Sequence, residues 1–542
     1  MHRKLWLSAV MAALGALLLV VAGFAHAASS SAAKKGGTMR MNMSATDVDF
    51  SDPSLAYGTI SWQIEYATAL KLLNYPDKGP PLGSRLQPEA ASGLPIISNN
   101  GKTYTFTIKR GLRFSDGSKV TARNFKWAFD RSATKAQQSP ATAFMDSVVG
   151  YTAAVDGGKN PAHVSGVIAR GNKLIIRLRE ADGGLLAKLA MPFFQAISLK
   201  TKVDPHGVNA YPSAGPYYIA SRIVNRRIVV KKNKFYKGNR PRNIDTFDIT
   251  VNTNLDQSLL QVRSNQVDYD MGGLPSTAHA DLAKRYGVNK GQYQVHQLVE
   301  TDYVALNTSR PTFANTKLRK AANFAIDRPA MLRVRGAFAG KRTDQVLPPN
   351  MRGFKDAKIY PLKGADYRTA KRLAGSSCKD VTLYTATSPT GQNLAQVFKY
   401  NLSQIGCNVN VKSFVGFAIY TAAGTRGEPF DAALVGWNQD YPDPYDFLNI
   451  LLDGNNIHAD NNNNLAYFNN KKVNRLLEAA NRLTGPARYK RYGSLDLLIS
   501  KNYAPWAAYD NRNEREFVSK RTGGYLFQPA NASADLNTFF IK

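Results

Sequence analysis

Cysteine is almost absent from this chain, with two residues among 542, Cys378 and Cys407. So low a count leaves no Cys-x-x-Cys pair and no thiolate set for a zinc or iron–sulfur centre. Histidine is nearly as scarce. His2 and His26 fall in the first 27 residues, and the remaining five, His163, His206, His279, His296 and His458, lie too far apart to form a helical metal pair. No His-Glu-x-x-His, no Gly-x-Ser-x-Gly and no phosphate-cradling Gly-x-x-x-x-Gly-Lys-Ser/Thr loop occurs, so no local signature of a metalloprotease, an α/β-hydrolase or a nucleotide enzyme is present. No metal or cofactor is expected. Negative charge is in deficit too, with 39 acidic against 71 basic residues and a formal charge of +32. Beyond the first 27 residues no apolar run approaches the roughly 18 to 20 residues that a bilayer span requires.

Those first 27 residues have a different character. His2, Arg3 and Lys4 make a basic start, Leu14 to Val21 lie in an apolar run, and Ala25-His26-Ala27 supplies the small-x-small pattern of a signal-peptidase cut. The reading is a secretory signal over 1–27 and an exported mature chain from Ala28, the alternative being a membrane anchor. No cysteine adjoins the cut, so the mature N-terminus is not a lipoprotein's.

The basic excess invites a nucleic-acid reading, but it is spread evenly: 36 basic and 20 acidic residues over 28–300, and 33 and 19 over 301–542. No nucleic-acid module accompanies it, so a solvated basic surface is expected, with weak attraction to anionic wall or membrane surfaces. Each cysteine precedes a strand-like run, Val381-Thr382-Leu383-Tyr384 and Val409-Asn410-Val411, with helical spacing from Gln392 to Leu402 between them. Strands of such a unit lie parallel, so their starts can be neighbours. A disulfide is the favoured reading in an oxidising compartment; the alternative is two buried free thiols.

About two to four folding units are expected from a mature chain of this length. Alternating runs such as Thr103 to Ile108 and Lys173 to Leu178 read as strands. Helical spacing occurs at Thr59 to Leu73, Leu255 to Ser264, Thr316 to Ile326, Val473 to Leu483 and Arg488 to Ser500. Asp327-Arg328 ends the third of these, and an irregular Pro- and Gly-rich stretch runs from Gly340 to Ala365. The texture is α/β with α+β portions and no short repeat.

One segment concentrates the chemistry: Gly436-Trp437-Asn438-Gln439-Asp440-Tyr441-Pro442-Asp443-Pro444-Tyr445-Asp446-Phe447, directly after the apolar run Phe430 to Trp437. Open α/β sheets bind ligands beyond the carboxyl ends of their strands. A carboxylate there receives a cation, and the rings of Trp437 and Tyr441 can cover it. Asp440, nearest the strand end, is the candidate; Asp443 and Asp446 read equally well as residues that start the next helix.

With that segment the chain becomes recognisable. Ser51-Asp52-Pro53, Thr103-Tyr104-Thr105-Phe106, Phe114-Ser115-Asp116-Gly117, Gly215-Pro216-Tyr217, Leu306-Asn307-Thr308, Ala325-Ile326-Asp327-Arg328 and Gly436-Trp437 with Asp440-Tyr441-Pro442-Asp443-Pro444 occur in order. The chain resembles the extracytoplasmic solute-binding proteins of oligopeptide and dipeptide ABC importers (family 5). The resemblance implies a two-lobed, hinged, type II periplasmic-binding-protein-like α/β fold with an inserted third α+β domain. It places lobe I over 28–58, 199–299 and 514–542, the inserted domain over 59–198, and lobe II over 300–513. It further implies that Asp440 pairs with a peptide's α-ammonium, that Trp437 lines a side-chain pocket, and that Tyr509 lies near the site, a packing role in the core being the alternative. Asn438 stands where some members carry a cysteine. The expected protein is a monomer, periplasmic or associated with the cell wall, that captures a di- or oligopeptide and delivers it to an ABC permease, with no nucleic-acid partner. Rival readings are the same fold holding a sugar, a nickel chelate or an opine, and a secreted hydrolase built from dispersed acids.

Overall fold

Burial alternates in strands such as Thr103–Thr107 and Lys173–Arg177, while Glu300–Leu306 is buried along its whole length, in the structure, a computed structural model that describes residues 35–44 and 47–542. The segment 1–27 and the cut after Ala27 lie outside the described residues. Met39, Met41 and Met43 point to one side of the strand Thr38–Ser44, which joins a five-stranded sheet ordered Tyr269–Asp270, Thr38–Ser44, Thr246–Thr253, Arg227–Lys232, Tyr217–Ile223. Its core also holds Ile64 and Ala67 of the helix Thr59–Thr68.

The second sheet runs Tyr293–Gln297, Trp506–Phe517, Glu300–Leu306, Ala432–Asn438, Asp380–Ala386, Asn408–Phe414, with the short Gly340–Arg342 also paired to Trp506–Phe517. Alternation gives it two apolar faces. Val304, Leu306, Leu434, Ala507 and Tyr509 meet helices that include Thr316–Ala325 and Pro389–Ser403. Tyr303, Ala305, Val435, Trp437, Trp506 and Ala508 face the opposite way, into the largest core. That core also takes in a four-stranded sheet, Ile96–Ser98, Thr103–Thr107, Lys173–Arg177, Val167–Arg170, and the helix Ala122–Ala133.

The twelve-residue strand Trp506–Phe517 pairs through Trp506 to Asp510 with Glu300–Leu306, then through Asn513 to Phe517 with Tyr293–Gln297. Val518 bridges to Tyr269, an edge strand of the first sheet. A single strand therefore ties the two sheets together.

One expectation changes. The helix from Thr59 stops at Thr68 instead of Leu73, because the Gly215 N–H takes the Thr68 carbonyl at 2.9 Å and Arg240 takes the carbonyls of Tyr66 and Ala69. The helix Thr316–Ala325 ends just before Asp327, as expected, and the Asp327 carboxylate accepts the Ala330 N–H at 3.0 Å and caps a new helix, Arg328–Val334. The cysteines form a disulfide, with Cα atoms 4.9 Å apart, beside the paired starts Asp380 and Asn408 of parallel strands.

Candidate functional site

The strand Ala432–Asn438 ends where the two sheets and the four-stranded unit converge. Alternation turns Trp437 into the largest core and leaves the turn beyond it to be organised by carboxylates. Asp446, in the first turn of the helix Tyr445–Leu452, reaches back: its Oδ2 accepts the Asp440 N–H at 2.8 Å and the Trp437 indole N–H at 3.2 Å. Asp443 accepts the Tyr445 N–H at 2.9 Å and forms a two-pronged ion pair with the buried Arg488, at 2.8 and 3.0 Å. Arg488 comes from the helix Gly485–Leu498. Asp443 is thus a buried structural anion with its own cation.

Asp440 is different. It is 7% exposed, and among the described residues no lysine or arginine pairs with it. Its hydrogen-bond donor is the Tyr57 hydroxyl, 2.7 Å away, from the turn preceding the helix Thr59–Thr68. Burial pushes the Asp440 carboxyl up to about 7. Burial and the charge of Asp440 hold Asp446 well above the usual carboxylate range, and burial next to Asp440 raises the Tyr57 phenol.

Rings close over this group. Tyr57 lies 6.2 Å from Trp437, 5.7 Å from Trp62, 5.7 Å from Phe193 and 6.3 Å from Phe144, and Phe144 in turn meets Tyr441 at 6.3 Å. Tyr441 is fully buried and its hydroxyl has no hydrogen-bond partner among the described residues. The aromatic enclosure is thus assembled from residues nearly 400 positions apart, on a carboxylate that can accept a positive group. Tyr57 is held by its own N–H and that of Gly58, which donate to Asp49 at 2.7 and 2.8 Å.

Trp437, Asp440 and Tyr441 share this enclosure. Asn438 pairs with Glu300 across the strands, and alternation sends its side chain to the face away from Trp437, where its Oδ1 is buried without a hydrogen-bond partner among the described residues. Tyr509 is separated from Asp440. Because Trp506 and Ala508 occupy the site-facing side of their strand, Tyr509 falls on the other, packed in the helix-covered core with its hydroxyl accepting from Arg335 at 3.2 Å. Arg335 also pairs with Asp302 and Asp510, and Arg512 pairs with Glu300 at 2.9 Å, which makes a second buried polar cluster on the strands that link the sheets.

Sequence reasoning missed Tyr57, Trp62, Phe144 and Phe193. The one signal was the nearness of Tyr57 to Ser51-Asp52-Pro53. Among the described residues no three His, Cys, Asp or Glu side chains are placed to hold a metal ion, and no helix is long and apolar enough to cross a membrane.

Residues 85–459 match the family model described as bacterial extracellular solute-binding proteins, family 5 Middle. Heme-binding protein A of Haemophilus influenzae is 26% identical over 454 residues, covering 80% of each chain. The oligopeptide-binding protein OppA of Bacillus subtilis is 23% identical, covering 84% of this chain and 85% of its own. Among solved structures, the clavulanic acid biosynthesis oligopeptide binding protein 2 superposes with a TM-score of 0.84 at 20% identity, covering 94% of this chain and 96% of that one. At that identity the likeness shows the fold: two lobes of the hinged, type II periplasmic-binding kind, with a third α+β unit.

Proposed function

The chain belongs to the bacterial extracellular solute-binding proteins of family 5, and from that membership we propose that it captures a di- or oligopeptide between its lobes and hands it to an ABC permease. The observation that carries this reading is Asp440: a buried carboxylate at a strand end, roofed by aromatics and with no cation of its own among the described residues. A peptide's α-ammonium supplies the missing charge. In a site closed to water such a charge-assisted hydrogen bond contributes roughly 1.5 to 3 kcal/mol. Trp437 and Tyr441 offer their faces and edges to the first side chain, and Tyr57 shares Asp440 with the ligand.

Hinge closure follows from differential affinity: a ligand that touches both lobes stabilises the closed arrangement, and opening releases it. The proposed domain limits, with lobe I over 28–58, 199–299 and 514–542 and lobe II over 300–513, put Tyr57 and Asp440 on opposite sides of that cleft. Export through cleavage after Ala27 belongs to the same proposal. The test is calorimetry of Asp440→Asn with free and N-acetylated peptides. A loss of affinity confined to peptides with a free amine supports the assignment, and equal affinity in parent and variant rejects it. Names among the relatives extend to heme, so the same titration run with amine-free solutes separates peptide capture from other cargo.

A further inference from the structure

We propose that the third, four-stranded unit carries a docking surface for anionic phospholipid headgroups. This goes beyond solute capture, though its rationale, delivery at a membrane, rests on that reading. A cavity of about 290 Å³ opens at one end of this sheet, and Lys109, Arg110, Arg113 and Lys119 line it over an aliphatic wall of Ile108, Leu112 and Val120. The hairpin turn Gly171-Asn172 completes the rim and brings Arg170 and Lys173, directly opposite each other across the strands, beside it.

Like charges so placed repel. The molecule nevertheless leaves them uncompensated. Lys109 donates to the Glu89 carbonyl and Arg113 to the Gly117 carbonyl, both backbone oxygens, and none of the six cations has an ion pair among the described residues. By contrast Lys126, in the adjoining helix, pairs with Asp130 at 2.8 Å. Asp116, in the turn between Arg113 and Lys119, accepts from Ser118 in that turn. The first turn of the helix Ala122–Ala133 beside the cavity carries no carboxylate. Six unneutralised cations around one depression are complementary to a multiply charged anion.

The same unit shows why that anion is part of a membrane. Its edge strand, Ile96–Ser98, is open on one side and exposes Ile96 (72%) and Ile97 (50%), with Leu94 (63%) just before it. Ile96 pairs with Thr105, and Ala91 bridges to Ile108 in the cavity wall, so the Ile96 position lies about 10 Å along the strands from that wall at the rise of a strand, with Ile97 on the opposite face of the edge strand. Soluble edge strands are normally protected by charge, and exposed isoleucines beside cations suit the boundary between headgroups and acyl chains. Such a surface would keep the protein close to its permease.

The test uses the mature full-length chain and sedimentation with vesicles of phosphatidylcholine alone or with about one-quarter phosphatidylglycerol. The expected result is binding to the anionic vesicles only, reduced about 100-fold in Lys109→Gln/Arg110→Gln/Lys119→Gln, at about fivefold per cation. Ile96→Ser/Ile97→Ser should weaken it further. Lys471→Gln/Lys472→Gln/Arg475→Gln, which removes equal charge from an exposed helix elsewhere, should leave it nearly unchanged. Equal loss in that control, or retention in the first triple variant, overturns the proposal. Loss of binding to soluble polyphosphate but not to vesicles in the first variant also overturns it, by reassigning the patch to a soluble polyanion. Melting curves and peptide calorimetry on every variant keep the result independent of folding and of the peptide assignment.

Discussion

Two buried groups of carboxylates flank the end of the strand Ala432–Asn438, and they solve the same electrostatic problem in opposite ways. On the strands that link the two sheets, Glu300, Asp302 and Asp510 sit among Arg335 and Arg512. Burial still raises Glu300 to about 7 and Asp510 to about 8, yet arginine neighbours oppose that rise. In the aromatic enclosure Asp440 and Asp446 have each other, Tyr57 and an indole, and no cation among the described residues. The first group carries arginine partners of its own and holds strands together. The second has no such partner, and that difference is why the proposal places the ligand there.

The comparison breaks most visibly at Asp443, three residues from Asp440. Asp443→Ala strands Arg488 in a buried site, and a loss of about 3 to 5 kcal/mol in denaturant unfolding is expected. Asp440→Asn should not destabilise. Its carboxyl is pushed up from 3.8 to about 7, so the folded state prefers it protonated and forfeits stability as pH rises through that interval. The Asn variant, which cannot ionise, should therefore gain on the parent as pH rises from about 4 to about 7, while peptide affinity falls about 10- to 150-fold. A variant less stable than the parent above pH 7 would place Asp440 with the structural carboxylates.

Removing the disulfide with Cys378→Ser/Cys407→Ser should cost about 3 to 4 kcal/mol in the chain-entropy account, without changing peptide affinity. Affinity itself should depend on pH. Below about 7 Asp440 takes up a proton and binding weakens by up to about tenfold per pH unit, and above about 8 the peptide amine loses its charge. Calorimetry should return a bell with its maximum between these values, absent for N-acetylated peptides. The smallest effect is expected for Tyr57→Phe: deleting the donor 2.7 Å from Asp440 removes a hydrogen bond that favours the anion, so the acidic limb of the bell should move to higher pH. An acidic limb that stays in place would show that Tyr57 does not tune the carboxylate.

Much of the architecture was legible in the chain because its signals are local. Alternation in Thr103 to Thr107 and Lys173 to Arg177 gave adjacent strands, and the cysteines before two parallel strands were found bonded. The strand–turn–helix around Asp440 was legible for the same reason. The placement of Tyr509 was not, because an aromatic at a strand end satisfies either face and only the neighbours Trp506 and Ala508 decide which.

Local pattern by itself determined the elements, the ordered family words and the segment in which the chemistry lies, since each depends on residues a few positions apart. Only tertiary structure decided which aspartate in that segment lacks a cation. Arg488 lies 45 residues from Asp443 and Tyr57 lies 383 from Asp440, and the charge state of a buried carboxyl is set by what folding carries to it, over distances the sequence does not encode.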